Sequence, residues 1–157
     1  MHVPKHFEET RIDVLHAFIR AHPFATLITL STDGLDANHL PLVLDPEPAP
    51  LGTLRGHVAR ANPVWQHYRP DIDALAVFHG PHAYISPSWY PSKRETGKVV
   101  PTWNYVVVHA HGPLRVVEDR AWLRSHLETL TAVHEAGRDT PWKMTDAPAD
   151  YIDTLLG

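Results

Sequence analysis

The sequence of 157 residues contains no cysteine, and this absence excludes several kinds of chemistry at once. A disulfide framework, a thiolate metal site and a cysteine nucleophile all require that residue. No apolar run approaches the length of about 20 residues that a membrane-spanning helix needs. The first ten residues also lack the apolar stretch and the small-residue cleavage site of a secretory signal. We therefore expect a soluble protein, and the lack of cysteine fits the cytoplasm.

Three common active-site and nucleotide-binding motifs are also missing. The chain has no GxGxxG dinucleotide fingerprint, no GxxxxGK[ST] phosphate loop and no GxSxG nucleophile elbow. Its net charge of -4 and pI near 6.3 give no overall basic field for nucleic acid. With no helix-turn-helix pattern in view, direct DNA contact would depend on a local basic patch.

The apolar patterns that are present predict a single domain over residues 1–157, mainly β with peripheral helices (α+β). Strands are predicted over residues 24–30, 35–44, 53–58, 74–79, 82–86 and 103–110, the last continuing over 114–118. Helices are predicted over residues 11–21, 63–68, from 120 to about 136, and from about 146 to the end. Because strands and helices do not alternate regularly, we expect a β-barrel of about six antiparallel strands.

Local signals set the helix starts and the first hairpin. Thr10 followed by Asp13 resembles a capping box for the first helix, and Asp119 is a suitable cap for the longest one. The dipeptide Asp33-Gly34 predicts a hairpin turn between the first two strands. Pro41 cannot donate to a strand ladder, which indicates an edge or bulge beside Asn38 and His39 where a ligand can approach the backbone.

Residues 80–112 hold the most informative stretch of the chain. Between two predicted strands lies a loop longer than compact domains usually carry, which indicates a function. It combines the aromatic side chains Trp89, Tyr90 and Trp103 with the cations Lys93, Arg94 and Lys98. Such parts can hold a flat ring at one end and an anion at the other. From composition alone, packing of the aromatics onto the barrel and solvation of the charges is the favoured interpretation.

The junction after the third strand is the best phosphate candidate. Asn62 is a good N-cap and Pro63 fits the first helical position, so free N–H groups would point outward there. Arg60 can place its guanidinium on phosphate oxygens, and His57 can add a donor. In contrast, His109 and His111 share one strand face but lack a third ligand fixed by the sequence, so we expect no metal site.

Four segments resemble one known family. They are HAYISPSWYPSKRETGKVVPTWNYVVVHAHG at 82–112, LRGHVARANPVW at 54–65, PKHFEE at 4–9 and PFATLITL at 23–30. These resemble the signature of the PaiB-type negative transcriptional regulators, which are similar to split-barrel proteins that bind flavin mononucleotide (FMN). Relatives continue past the position of Gly157 with a further strand and a polar tail, for which this sequence has no counterpart.

The resemblance implies a homodimer with FMN at the subunit interface. From motif position and side-chain chemistry we expect phosphate contacts at His57, Arg60 and Lys98. We expect ring or ribityl contacts at Asn38, His39, Leu40, Asn62, Thr102, Trp103 and Asn104. No catalytic acid or base can be identified. The implied role is negative regulation of transcription, by direct DNA contact or through a protein partner.

Two alternatives stay open from the residues. One is a flavin-dependent oxidoreductase, in which the ring carries the electrons and the polypeptide orients it. The other is a haem-binding or haem-degrading split barrel with His39, His79 or His109 as an axial ligand. The sequence does not choose among these three histidines, and we rank flavin above haem.

Overall fold

The computed structural model describes residues 1–156, which form six strands and five α-helices. The strands are β1 (Phe24–Ser31), β2 (Gly34–Pro41), β3 (Val43–Asp45), β4 (Thr53–Arg55), β5 (Ala74–Ile85) and β6 (Thr102–Gly112). The helices are α1 (Ile12–Ala21), α2 (Val64–His67), α3 (Ser92–Thr96), α4 (Arg120–Glu135) and α5 (Ala149–Leu155). Single 3-10 turns lie at Lys5–Phe7, Pro87–Trp89 and Met144–Asp146.

The strands form two antiparallel sheets. The larger sheet has the order β2-β1-β5-β6, and β3 pairs with β4 in a two-stranded sheet. Among residues 1–156 these pairings do not close into a barrel. The predicted fold class, antiparallel β with peripheral helices, is confirmed, whereas the split-barrel closure stays a prediction.

The structure corrects several predicted element bounds. The predicted fourth and fifth strands are one strand, β5, because its pairing with β6 continues past an irregularity between His79 and His82. The predicted second strand divides at Leu42 into β2 and β3, next to Pro41, which lacks an N–H group for the ladder. Residues 114–118 form no strand.

The predicted turn and caps have mixed outcomes. The hairpin between β1 and β2 turns at Thr32 and Asp33, and Gly34 follows with a positive φ of 116°. Asp119 caps α4 by accepting the Trp122 N–H at 2.8 Å, as predicted. The capping box at Thr10 is wrong, because α1 starts after Arg11 and makes no side-chain cap.

One face of the large sheet holds the main core. The residues that meet there are Ile19 of α1, Leu42 between β2 and β3, Leu44 of β3 and the fully buried Phe78 of β5. Gly80 lets α1 approach β5, because a Cβ at that position would lie 2.7 Å from ring atoms of Phe18. Gly80 thus links two features: it lies within the irregularity between His79 and His82, and it makes room for the Phe18 ring of α1.

A second apolar cluster joins α4 to the chain end. Met144, Ile152 and Leu156 are buried there against Leu123 and Leu127 of α4. The predicted C-terminal helix is confirmed as α5, although Tyr151 and Leu155 remain exposed. None of the helices within residues 1–156 has the length and apolar character required to cross a membrane.

Candidate functional site

The two faces of the large sheet carry different side chains. Directly opposed residues of neighbouring strands point to the same face, and consecutive residues of a strand point to opposite faces. Leu27 opposes Asn38 on β2 and Ala76 on β5, so Asn38 lies on the core face. Thr26 opposes His39 and Val77, and Val77 opposes His109, so these four residues form one row across the second face.

Asn38, His39 and Leu40 therefore do not form one side-chain site. Asn38 points toward the loop after β4, where Nδ2 of Asn62 donates a hydrogen bond of 2.6 Å to its Oδ1. His39 points the other way and contacts the Thr26 hydroxyl at 3.1 Å through Nδ1. Leu40 is buried in the core. Only the backbone of Leu40 can face a cofactor.

The structure organises the phosphate candidate Arg60 on an aromatic ring. Its guanidinium lies over the Trp65 ring, 5.2 Å from the centroid, and the Trp65 indole donates to the Arg60 carbonyl at 3.2 Å. Nη1 of Arg60 also donates to the Glu118 carboxylate at 3.1 Å. Both side chains of this ion pair are more than half exposed. Arg60 is thus oriented, solvent-accessible and already paired with one anionic group.

The predicted helix start beside Arg60 is smaller than expected. Asn62 accepts the Val64 N–H at 3.0 Å, but α2 contains only four residues. So short a helix adds little dipole to the site. The donors that remain are the Arg60 guanidinium and the Asn38–Asn62 amide pair.

His57 serves a structural contact in this structure. Its Nδ1 lies 3.4 Å from Nε2 of His126 on α4, and the His126 ring stacks on Trp122 with centroids 5.4 Å apart. Burial lowers the pKa of His57. Burial also lowers the pKa of His126 to about 4, with the positive charges of His57 and Arg55 adding to the effect. Both imidazoles are therefore neutral at pH 7, and their contact joins α4 to the loop after β4.

Three of the residues predicted to contact the ring or ribityl chain lie on a hairpin, which we call the aromatic ribbon (residues 82–85 and 102–105). These three are Thr102, Trp103 and Asn104. The two strands of the ribbon pair with each other, but they extend past the first residue of β1, Phe24, and so have no third strand beside them. Trp103 donates from Nε1 to His82 at 3.3 Å and packs beside Tyr84. Tyr84, Trp103 and Tyr105 are 50%, 54% and 58% exposed. Thr102 and Asn104 are exposed beside them.

Lys98 lies on the connection from α3 to the ribbon. Gly97 ends α3 with a positive φ of 65°, and the Lys98 N–H donates to Thr96 Oγ1 at 3.2 Å. The Lys98 side chain is exposed. The predicted long loop thus contains a 3-10 turn and a short helix, and it presents Lys98 on the ribbon side of the molecule.

Strand register shows how far apart the two groups of candidates are. Asn38 shares a row with Leu27, Ala76 and Ala110, and Trp103 lies seven residues from Ala110 along β6. At about 3.3 Å per residue this is a separation of about 23 Å along the strands, with about 14 Å more across three strand spacings. One copy of the chain does not bring Arg60, Asn38 and Asn62 together with Thr102, Trp103 and Asn104.

The side chains present fit a flat anionic coenzyme when both groups are combined. Arg60 supplies a cation for a phosphate, Asn38 and Asn62 supply amide groups, and the exposed Trp103 supplies an aromatic plane. Arg60 lies apart from the open aromatic surface of the ribbon, where the exposed cation is Lys98. Within residues 1–156, no three metal-ligating side chains are close enough to hold a metal ion.

Sequence reasoning did not select Trp65, Glu118 or His126. Trp65 ends the segment LRGHVARANPVW, so its place beside Arg60 was a usable signal. Glu118 and His126 reach their partners across 58 and 69 residues, respectively. No local pattern marks such contacts.

Comparison with known families gives the class of protein to which this fold belongs. The family model described as "Putative FMN-binding domain" matches residues 1–157. The chain belongs to this family, and FMN is the cofactor that the family indicates.

The individual relatives confirm the PaiB-type resemblance. The chain is 36% identical to the protease synthase and sporulation protein PAI 2 (PaiB) of Bacillus subtilis over 141 residues, covering 90% of this chain and 65% of that protein. It is 35% identical to an uncharacterized protein of Aspergillus fumigatus over 193 residues, covering 94% of this chain and 74% of that protein. The chain is also 31% identical to an uncharacterized protein of Saccharomyces cerevisiae, and the match covers 88% of this chain and 92% of that protein.

Proposed function

We propose that the protein binds FMN between two copies of the chain and acts as a PaiB-like regulator. In this arrangement the phosphate lies on Arg60 of one copy, near Asn38 and Asn62, and the ring lies against Thr102, Trp103 and Asn104 of the other. The observation that carries the proposal is the separation of these two groups within one copy, about 23 Å along the strands.

The aromatic ribbon supports the dimer independently of the cofactor. A two-stranded hairpin is marginally stable in water without a surface to pack on. Here it exposes Tyr84, Trp103 and Tyr105 on one face. Exposed apolar patches of this kind are typical of interaction sites. In a symmetric dimer, a single interface would cover the ribbons of both copies.

A mixed-dimer experiment tests whether two chains build each site. Arg60→Ala and Trp103→Ala are purified separately, and each is expected to bind FMN weakly in a fluorescence-quenching titration. After subunit exchange in a 1:1 mixture, each heterodimer has one site with both native residues, so about a quarter of all sites should recover native affinity. Trp142→Ala, another exposed tryptophan, serves as the control and should bind normally.

The outcomes of this experiment separate the parts of the proposal. Absence of recovery after verified subunit exchange would show that the site lies within one chain. Normal affinity in Arg60→Ala would remove the phosphate assignment. Lack of FMN binding by the native protein would leave the cofactor proposal without support.

The regulatory role is the finer part of the proposal. It is supported by the similarity to PAI 2, whose name links that protein to protease synthesis and sporulation. Three cations lie on α3 and on the connection from α3 to β6: Lys93, Arg94 and Lys98. They give a small positive surface on a chain of net charge -4. We therefore favour regulation through flavin binding and a protein partner, with at most a few phosphate contacts to DNA.

A gel-shift titration with promoter DNA tests the direct-contact version. Three phosphate contacts per copy predict a log Kd against log salt slope of about 3 per chain. Lys98→Gln should lower that slope by about 1. Failure to shift DNA at low salt, with and without FMN, would restrict the regulatory proposal to a protein partner.

A further inference from the structure

The second face of the large sheet carries a depression that the proposed flavin site does not use, which we call the histidine cavity. Its volume is about 380 Å³, and it is lined by His22, Pro23, Phe24, Thr26, His39 and His79. The histidines come from the end of α1, from β2 and from β5. Three separate elements thus place imidazoles around one space.

The size of the histidine cavity indicates what it can hold. Its three imidazoles are not close enough together for a metal site, since no such group occurs within residues 1–156. The volume equals that of about a dozen water molecules at about 30 Å³ each. A molecule of about ten heavy atoms fits this space. FMN, with three fused rings and a ribityl phosphate, is too large to be enclosed there.

The lining selects a flat ligand. Phe24 is 65% exposed, and its ring lies nearly parallel to that of His39, at 28° with centroids 6.4 Å apart. Phe24 and His39 therefore offer aromatic surface to a planar group. Thr26 engages Nδ1 of His39, which leaves Nε2 available for a ligand.

The polar groups of the lining favour an anion. None of the six lining residues carries a carboxylate. His109 lies on the same face, and its pKa is lowered by burial and further by the positive charges of His111, the N-terminus and His79. An imidazole N–H donates readily to a carboxylate, and the hydrogen bond gains strength when either group is charged.

We propose that the histidine cavity binds a small aromatic carboxylate, with its ring against Phe24 and His39 and its carboxylate accepting from His39 and His79. Within one copy this site is separate from the proposed phosphate contacts, because His39 points to the opposite sheet face from Asn38. It is also separate from the ring contacts, because His79 opposes Val107, which lies four residues, about 13 Å, from Trp103 along β6.

Titration of the native protein with benzoate tests the proposal by NMR. The imidazole C–H resonances of His22, His39 and His79 should shift together, with a Kd of about 1 mM or tighter. Benzyl alcohol tests the ring without the charge, and inorganic phosphate tests the charge without the ring. Each should bind at least about tenfold more weakly than benzoate, since each lacks one of the two contacts.

Matched variants assign the binding to the cavity. His39→Gln and His79→Gln should each weaken benzoate binding about tenfold, whereas His134→Gln, an exposed histidine on α4, should leave it unchanged. His39 and His79 are both exposed, so these two variants should fold, and a thermal melt verifies their folding.

Three results would overturn the proposal. They are the absence of shifts at about ten times the expected Kd, equal binding of benzyl alcohol, and displacement of benzoate by FMN. The last would assign the cavity to the flavin site. Because the first titration contains no flavin, failure of FMN binding does not affect its outcome.

Discussion

At the scale of single residues, Asn38 and His39 show how strand geometry divides candidates that sequence proximity groups together. Both lie beside Pro41 and both are reasonable ligands by side-chain chemistry. Because consecutive strand residues point to opposite faces, Asn38 reaches Asn62 and His39 reaches Thr26. The two residues therefore belong to different sites.

Arg60 and Glu118 give the first residue-scale prediction. If Arg60 binds the FMN phosphate, the Glu118 carboxylate must release it, because both anions need the same guanidinium. We expect Glu118→Gln to tighten the Kd for FMN about two- to fivefold at low salt, the range of an exposed ion pair. Riboflavin, which lacks the phosphate, should bind both proteins equally in the same quenching titration.

The control for this prediction is another ion-paired glutamate. Glu128 pairs with Arg124 on α4, so Glu128→Gln removes the same charge away from Arg60. Equal tightening by Glu128→Gln would indicate a general charge effect. Tightening of riboflavin binding by Glu118→Gln would contradict competition for the phosphate.

At the scale of elements, the contact between His57 and His126 attaches α4 to the loop that carries Arg60. His126 is 4% exposed, and its pKa falls from 6.5 in the unfolded chain to about 4. Between these values the unfolded state binds more protons than the folded state, so stability decreases as pH falls through this window. The stabilising contribution is complete above pH 6.5.

The element-scale prediction follows from that sign. Between pH 7 and pH 4.5, protonation of His126 should reduce the free energy of unfolding by about 2 kcal/mol. His126→Gln should show a smaller loss over the same range in urea titrations, although it is less stable at pH 7. His134→Gln on the same helix should keep the native pH dependence, and an unchanged slope in His126→Gln would contradict the assignment.

The elements also show where sequence patterns succeed and fail. Helical spacing and the cap at Asp119 predicted α1 and α4 closely, because both helices bury one apolar stripe. The single strand β5 was predicted as two because Gly80-Pro81 is a common break signal. Pairing of His82 with Tyr105 keeps the strand continuous there, and such a contact between distant residues is invisible to a local pattern.

The candidate site divides along the same line. The segment around Arg60 and the segment around Trp103 were both found from composition and motif. Their separation was not, because it depends on the register of four strands. His57 also met a partner, His126, that the sequence did not indicate.

At the scale of the whole molecule, a charge placed at the base of the aromatic ribbon tests the proposed dimer directly. Val106 at the base of the ribbon and Val133 on α4 are 51% and 58% exposed, so the same substitution has similar solvent access at both. We expect Val106→Glu to raise the dimer dissociation constant at least about tenfold, because pairing would bury an unpaired carboxylate. Val133→Glu should leave it unchanged. Analytical ultracentrifugation over a concentration series measures both constants.

Loss of FMN affinity should accompany monomer formation, since the phosphate and ring contacts then separate. Tight FMN binding by a monomeric Val106→Glu protein would contradict the two-chain site.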